Sequence, residues 1–196
     1  MKTLIVTGGT GGLGTVVVGR LTRDYHCVLL NRPETDLLDA ASVRDALARV
    51  DSPYGLVHMA GGWTGGAVSE TSEETWAKML GINATSAFHA IRETLARMDR
   101  SRPGRIIAIS SIATLTKGAS SAAYTVSKTA LNALIEATAA ELQGTQITAN
   151  ALLPDALATP AAGGSIPLDR VADAIAFLLS DAAANVNGAL IPLRAA

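Results

Sequence analysis

The stretch that decides the fold is Thr7-Gly8-Gly9-Thr10-Gly11-Gly12-Leu13-Gly14. It follows a predicted strand near 3–7 and opens into an apolar run at Val16–Leu21, which is a predicted helix. Glycines allow a sharp turn and a close approach of the backbone to a pyrophosphate, whose charge then lies at the helix N-terminus. The segment therefore predicts a dinucleotide-binding strand, loop and helix.

The glycine spacing alone fits several templates. The sequence satisfies G-x-G-x-x-G through Gly9, Gly11 and Gly14, and it also satisfies T-G-x-x-x-G-x-G from Thr7 onward. A flexible turn without a ligand is the alternative, but the position between a strand and a helix favours a phosphate loop. A P-loop is excluded because no Lys-Ser or Lys-Thr pair follows.

The rest of the chain alternates short β-branched runs with longer stretches rich in alanine and leucine, the pattern of an α/β domain on a parallel sheet. The predicted strands lie near 3–7, 27–31, 55–60, 105–110, 146–152 and 189–192, and the predicted helices near 12–23, 42–49, 73–98, 123–143 and 169–180. Asp39 or Ser42, Thr71 or Ser72, and Asp169 are predicted N-caps. We expect residues 1–196 to form one doubly wound Rossmann domain with about six or seven strands.

Composition excludes several classes of partner. The chain has 16 Lys+Arg against 17 Asp+Glu and a formal charge of -1, which argues against a nucleic-acid or anionic-membrane partner. No segment reaches the roughly 18 apolar residues of a membrane span, and the first residues are too short an apolar run for a signal peptide, so we predict a cytoplasmic protein. Cys27 is the single cysteine, so no internal disulfide is possible and no metal site is expected.

The end of the second predicted strand bears on the choice of cofactor. An acidic residue that binds a ribose 2′-hydroxyl is expected there, but the chain has Asn31-Arg32. A 2′-phosphate meets no carboxylate at this position, and the Arg32 guanidinium can pair with it bidentately. A solvated loop arginine is the alternative. We expect NADP(H), with NADPH preferred over NADH.

Four polar residues form a candidate catalytic set. Tyr124 and Lys128 are four residues apart at the start of a predicted helix, so they share one face. Ser111 is the second of two serines, after Ser110, that end a predicted strand at the carboxyl edge, where doubly wound sheets bind ligands. Asn83 is a poor helix former inside an otherwise helical stretch. Each one alone also reads as a surface or capping residue.

In this order and spacing, the residues resemble the short-chain dehydrogenase/reductase family over nearly the whole chain. The resemblance implies hydride transfer between a nicotinamide and a small carbonyl or alcohol. Tyr124 is expected as the general acid/base, Ser111 as the group that orients the carbonyl, and Lys128 as the charge that lowers the pKa of Tyr124 and binds ribose. Asn83 is expected to position a water in the proton relay.

The resemblance also implies the cofactor contacts and the assembly. The expected cofactor-binding residues are Gly8, Thr10, Gly12, Leu13, Gly14, Asn31, Arg32, Asp36, Leu37, Ala60, Gly61, Tyr124, Lys128, Pro154 and Thr159. A homodimer or homotetramer is expected through the helices near 73–98 and 123–143. Their apolar residues are more numerous than one sheet contact needs, namely Phe88, Ile91, Leu95, Leu131, Leu134 and Ile135.

The chain departs from the family pattern at several places. His58-Met59 stands where the family commonly has Asn-Asn, and Asp155 follows Pro154 where glycine is usual. Only Pro33-Glu34-Thr35 separates Arg32 from Asp36, so a helix and a strand of the family pattern are missing. Only Pro160–Ser165 lies between Thr159 and Ile166, where relatives carry a substrate lid, so an open pocket is expected.

One loop points to a subgroup. Ala60-Gly61-Gly62-Trp63-Thr64-Gly65-Gly66 resembles the corresponding loop of dihydropteridine reductases, and Trp63 there either stacks on a flat substrate or covers the sheet end. Two other functions stay open at this point. A catalytically silent NADP-binding sensor does not need the four polar residues together, and a Rossmann-like methyltransferase does not need the Tyr-Lys pair.

Overall fold

A six-stranded, fully parallel sheet forms the centre of the computed structural model, which describes residues 1–159 and 163–194. The strand order is β2-β1-β3-β4-β5-β6. Neighbouring strands on either side of β1 are reached by crossovers in opposite directions, so the sheet is doubly wound as predicted. The strands are β1 (Lys2–Thr7), β2 (Tyr25–Leu30), β3 (Gly55–His58), β4 (Gly104–Ile109), β5 (Ile147–Pro154) and β6 (Leu190–Leu193).

The helices cover both faces of this sheet. They are α1 (Gly12–Leu21), α2 (Ala40–Ala46), α3 (Glu73–Leu80), α4 (Ser86–Leu95), α5 (Ala113–Thr116), α6 (Ala122–Glu141) and α7 (Leu168–Leu179). The prediction of one continuous α-helix over 73–98 is wrong, because a π-helical turn at Gly81–Thr85 separates α3 from α4. The short helix α5 was not predicted.

The helix starts show which capping predictions hold. The Asp39 side chain accepts from the Ala41 N–H at α2, and the Ser72 side chain accepts from the Thr75 N–H at α3. The N-cap of α7 is Pro167, so the prediction for Asp169 is wrong. Asp169 lies in the first turn instead, where its carboxylate interacts favourably with the positive end of the helix dipole.

Two hydrophobic cores hold the layers together. One lies between the sheet and α2, α4 and α6, and it includes Ile5, Leu56 and Ile106. The other lies between the sheet and α1 and α7, and it includes Val6, Val57 and Ile107. Each of these buried side chains contributes about 1.5–3 kcal/mol relative to an exposed one, so burial on both faces explains the continuous apolar runs of the strands.

The packing corrects the expectation about the helix surfaces. Ile91, Leu131 and Ile135 are buried in the first core, and Leu95 and Leu134 pack against it. Of the six residues assigned to a surplus apolar stripe, only Phe88 is largely exposed. The broad apolar stripes arise because α4 and α6 each pack against both the sheet and neighbouring helices. They are therefore not by themselves a sign of an interface between subunits.

The missing elements after β2 are replaced by a short loop. In the described chain, residues 31–39 lead from β2 directly to α2 without a further strand, which leaves β2 at the edge of the sheet. A carboxylate on α4 secures this region. Glu93 is buried and lies 3.0 Å from both Arg92 and Arg97, and Arg97 also donates to the Leu47 carbonyl after α2.

Candidate active site

The glycine loop packs so tightly that side chains have no room. A Cβ on Gly8 would lie 2.7 Å from the Ala60 nitrogen, and a Cβ on Gly14 would lie within 2.7 Å of the Gly9 backbone. Gly8 also has a φ of +68°, a region that favours glycine. These contacts bring the end of β1, the end of β3 and the start of α1 together.

The start of α1 is free to receive an anion. Gly11 is the N-cap and makes no side-chain capping bond, and in this fully described segment the first turn has no acidic residue. Thr10, Gly11 and Gly12 are exposed, whereas the Leu13 side chain is buried in the second core, which leaves only its backbone for a ligand. Unpaired N–H groups at a helix N-terminus suit a pyrophosphate.

The corner after β2 is occupied by an ion pair. The Arg32 guanidinium donates to Asp36 Oδ1 over 3.1 Å, and both side chains are exposed. The hydrogen bond from the Leu38 N–H, and then the Arg32 guanidinium, lower the pKa of Asp36, so this carboxylate stays ionised at neutral pH. Leu37 is half-buried, and its carbonyl lies 3.0 Å from His89 Nδ1. Arg32 is therefore not the free cation that the sequence predicts.

Asn31 offers an acceptor beside this pair. Its Oδ1 is buried and has no hydrogen-bond partner in the described part of the chain. A ribose hydroxyl is a donor that would satisfy this oxygen. The position is thus polar without being negative.

The π-helical turn places Asn83 in the interior. Asn83 Nδ2 donates to the Gly62 carbonyl and to Ser127 Oγ, each over 3.0 Å, and its Oδ1 accepts from the Gly62 N–H over 3.0 Å. The amide therefore clamps the loop after β3 and ties it to α6. π-turns within helices often occur at functional sites.

Lys128 lies on the same side of this loop. Its Nζ donates to the Ile109 carbonyl over 2.8 Å, and a Cβ on Gly61 would lie 3.1 Å from Nζ and 2.7 Å from Asn83 Oδ1. Burial lowers the pKa of Lys128 to about 8, so most Lys128 side chains are still protonated and positively charged at neutral pH. The exposed backbone of Gly61 thus borders both predicted site residues.

Tyr124 and Ser111 meet at the carboxyl edge of β4. The Ser111 side chain lies close enough to Tyr124 to lower the pKa of the phenol. Ser111 Oγ accepts from the Ala113 N–H over 3.2 Å. Burial raises the pKa of Tyr124, and the nearby Ser111 side chain opposes this effect without overcoming it. Lys128 is not among the groups that shift the pKa of Tyr124 in the protein without cofactor, so its expected role in lowering this pKa stays a prediction for the complex with the oxidised nicotinamide.

The segment after β5 reaches back to the glycine loop. Pro154 ends β5 and its carbonyl accepts from the Ile112 N–H, next to Ser111. A Cβ on Gly12 would lie 3.3 Å from Thr159 Cγ2, so Thr159 borders the start of α1, and its contact with the cofactor stays a prediction. Pro160–Ala162 of the short segment that replaces a lid lie outside the described residues, and Ile166 bridges back to Leu157.

Two contributors to this site were missed from the sequence. Ser127 bonds Asn83 and was visible only as the residue between Tyr124 and Lys128, since a buried serine next to two site residues carries no distinctive pattern. The two hydrogen bonds that Gly62 makes with Asn83 were also not predicted, because a loop glycine has no side chain that signals a partner.

Taken together, the groups fit a nicotinamide dinucleotide. The glycine cradle and the free start of α1 suit its pyrophosphate, and Asn31 Oδ1 suits a ribose hydroxyl. Within the residues that the structure describes, no group of three His, Cys, Asp or Glu side chains is placed to hold a metal ion. Across those same residues, none of the helices is both long and apolar enough to cross a bilayer.

The family model described as short chain dehydrogenase matches residues 33–167. The chain belongs to this family. The short-chain dehydrogenase is accordingly an oxidoreductase enzyme that uses a nicotinamide cofactor, which confirms the predicted family and enzyme class. The family assignment removes the methyltransferase alternative and does not support the silent sensor.

Relatives of this short-chain dehydrogenase differ in their named substrates. It is 30% identical to a D-beta-hydroxybutyrate dehydrogenase of Cupriavidus necator, over 81% of this chain and 72% of that protein. It is 28% identical to the 3-oxoacyl-(acyl-carrier-protein) reductase MabA of Mycobacterium bovis, over 98% and 91%. A solved oxidoreductase of the short chain dehydrogenase/reductase family from Burkholderia thailandensis matches with a TM-score of 0.90 and 26% identity, over 98% of this chain and 91% of that one.

Proposed function

We propose that the protein transfers a hydride between NADP(H) and a small carbonyl or alcohol, with Tyr124 as the general acid/base. The observation that carries the proposal is the meeting of Tyr124 and Ser111 at the carboxyl edge of β4, while Lys128 and Asn83 border Gly61 in the adjacent loop. If Tyr124 were only a surface residue and Ser111 only a helix cap, there would be no reason for Lys128 and Asn83 to be buried beside them.

The roles follow from what each side chain can do. When bound, the nicotinamide supplies or accepts the hydride at the substrate carbon. In the reducing direction Tyr124 Oη gives its proton to the carbonyl oxygen, and Ser111 Oγ donates a hydrogen bond that holds this oxygen. Lys128 presents donors at Gly61, where a ribose would lie, and Asn83 fixes the loop that forms this wall.

The direct test is a hydride-transfer assay. Purified protein is mixed with NADPH or NADH and with simple ketones, quinones and quinonoid dihydropterin, and loss of the reduced cofactor is followed by absorbance. Turnover of at least one carbonyl compound supports the proposal. If the protein bound neither nicotinamide cofactor, the proposal would be wrong.

Cofactor choice is the first specific prediction. We expect NADPH to bind at least ~10-fold more tightly than NADH, which is ~1.4 kcal/mol of binding free energy. The neutral amide of Asn31 does not repel a 2′-phosphate, and the next residue, Arg32, has a positive charge that can attract it. The phosphate has to compete with Asp36 for the guanidinium, and solvent screens both contacts.

Competitive titration measures this preference. Asn31→Asp should move it toward NADH, and Asp36→Asn should strengthen it for NADPH because Arg32 is released. Equal or tighter binding of NADH by the unaltered chain would refute the choice. An unchanged preference in Asn31→Asp would show that position 31 is not the selector.

Substrate breadth is the second prediction. The loop that carries Trp63 is held at Gly62 by Asn83 and at Gly66 by the Ser120 carbonyl, yet Trp63 is 68% exposed. An open pocket desolvates little of a substrate, so we expect kcat/KM to vary by no more than about 10-fold among ketones of similar reactivity.

A matched pair of tryptophan variants tests where selectivity arises. Trp63→Ala should raise KM for flat aromatic carbonyls more than for aliphatic ones, because stacking area is lost. Trp76→Ala, on α3, is the control for removing an exposed indole. Strong selectivity in the parent that survives Trp63→Ala would contradict the open pocket.

Assembly stays a prediction. Enzymes of this family are commonly oligomeric, and the exposed Phe88 on α4 and Val126 on α6 support a homodimer or homotetramer. The cytoplasmic location predicted from the sequence likewise stays a prediction.

A further inference from the structure

His58 is a buried imidazole at the centre of the carboxyl edge, where the catalytic proposal gives it no role. It is the last residue of β3, fully buried, and it pairs in register with Thr7 of β1 and Ala108 of β4. The polar ring therefore lies between the glycine loop and the strand that leads to Ser111. A buried polar group at this position requires hydrogen-bond partners.

A chain of two hydrogen bonds links His58 to the loop that follows it. His58 Nδ1 lies 2.9 Å from Thr7 Oγ1, and Thr7 Oγ1 accepts from the Ala60 N–H over 3.3 Å. The same Ala60 nitrogen is the atom against which Gly8 packs without room for a Cβ. The Thr7 hydroxyl thus holds the β3 loop against the glycine loop, and His58 fixes that hydroxyl.

The ring of His58 is neutral when it bonds Thr7. Burial, and then the positive charge of Lys128, lower the pKa of His58 to about 3, which outweighs the opposing effect of the Ala60 backbone. A neutral imidazole has one donor and one acceptor nitrogen. Because Thr7 Oγ1 already accepts from Ala60, its hydroxyl hydrogen is available for Nδ1. The Thr7 oxygen can also accept from Nδ1–H through its second lone pair, so the neutral ring bonds Thr7 in either tautomer. Nε2 has no partner among the described residues.

We propose that His58 is a positioning residue for the cofactor cleft, which acts through Nδ1 on the Thr7 hydroxyl and thereby sets the distance between the glycine loop and Ala60–Gly61. The inference rests on the proposed function only in that this cleft binds a nicotinamide dinucleotide. It assigns a binding role to one nitrogen of one ring, at a position where the chain departs from the family pattern.

Two amide variants separate the two ring nitrogens. Asparagine can place its Oδ1 near the position of Nδ1, whereas glutamine places its amide near the position of Nε2. We expect His58→Asn to bind NADPH within about 3-fold of the parent, and His58→Gln and His58→Leu to bind it about 5- to 10-fold more weakly, as for the loss of one hydrogen bond. The measurement is cofactor Kd by fluorescence titration.

A double-mutant cycle tests whether the effect passes through Thr7. Thr7→Val removes the hydroxyl with little change of shape, and Thr7→Ser retains it. If His58 acts through Thr7, the Kd of His58→Leu/Thr7→Val equals that of Thr7→Val alone, so the two effects do not add. Thr7→Ser should restore the response to His58→Leu.

Further readouts separate positioning from a general loss of stability. A merely structural role lowers the melting temperature and the active fraction but leaves Kd and the KM for NADPH unchanged in the folded protein. Positioning raises KM and Kd together, with kcat within about 2-fold. Equal Kd values for the parent, His58→Leu and His58→Gln would overturn the inference.

The remaining outcomes also decide the matter. Retention of tight binding by His58→Gln but not by His58→Asn would show that Nε2 is the working atom, which overturns the assignment. Additive effects in the cycle would exclude the route through Thr7. If the parent binds NADPH and Tyr124→Phe is inactive, any of these failures concerns His58 alone and leaves the proposed function intact.

Discussion

Replacement of Tyr124 by phenylalanine is expected to lower kcat by at least about 100-fold, the lower range for loss of a general acid/base. The phenol is the proposed proton donor, close to Ser111 at the carboxyl edge of β4, and phenylalanine keeps the ring while removing that proton. Lys128 does not replace it, because its Nζ is held by the Ile109 carbonyl. The Kd for NADPH should change by less than about 3-fold.

The measurement compares steady-state kcat with cofactor Kd for the variant and for a matched control. Tyr25→Phe makes the same change on β2, where Tyr25 stacks on Tyr54 at the opposite end of the sheet, and it should leave both values unchanged. Ser111→Ala should lie between the two, since it removes a hydrogen bond but not the proton donor. Turnover by Tyr124→Phe within 10-fold of the parent would refute the assignment.

Gly14→Ala is expected to weaken cofactor binding and the fold at once. The added methyl would overlap the Gly8 carbonyl and the Gly9 backbone, neither of which can turn away as a flexible side chain does. Forced overpacking of this kind costs about 1–3 kcal/mol of unfolding free energy. Displacing the loop should also raise the Kd for NADPH at least ~10-fold, as for loss of one charge-assisted hydrogen bond worth about 1.5–3 kcal/mol.

Gly19→Ala supplies the matched control within the same helix. A Cβ on Gly19 meets nothing within 4 Å, and Gly19 is exposed, so alanine should stabilise α1 by about 0.5–1 kcal/mol and leave Kd unchanged. Urea unfolding curves and fluorescence titrations give both quantities for the two variants. If Gly14→Ala behaved like Gly19→Ala, the glycine loop would not have the close contacts described above.

The order of elements follows from local patterns. The strands are continuous apolar runs because helices cover both faces, and Asp39 and Ser72 cap their helices because short polar side chains satisfy free N–H groups. The Arg32–Asp36 pair was not predicted, since two exposed loop residues can meet only once the loop conformation is known. The burial that raises the pKa of Tyr124 in the protein without cofactor was also not predicted, because burial is a property of the packed structure.

The π-helical turn marks the limit of reading a helix from its sequence. The sequence over 73–98 predicts one helix because neither α3 nor α4 contains a residue that must break a helix. Asn83 satisfies its amide on Gly62 and Ser127, and both partners are distant in sequence. The π-helical turn is therefore stabilised by contacts between residues that are distant in sequence, and local helix propensity does not predict such contacts.

The π-helical turn at Gly81–Thr85 also changes how the side chains of α4 are oriented relative to those of α3. An α-helix advances about 100° per residue, so the extra residue in the turn rotates the buried side of α4 by that angle relative to the side that α3 presents to α6. Deleting or adding one residue within Gly81–Thr85 would turn one half against the other and swing Asn83 away from the Gly62 loop. In this helix the length of the chain, and not only the identity of Asn83, specifies the site.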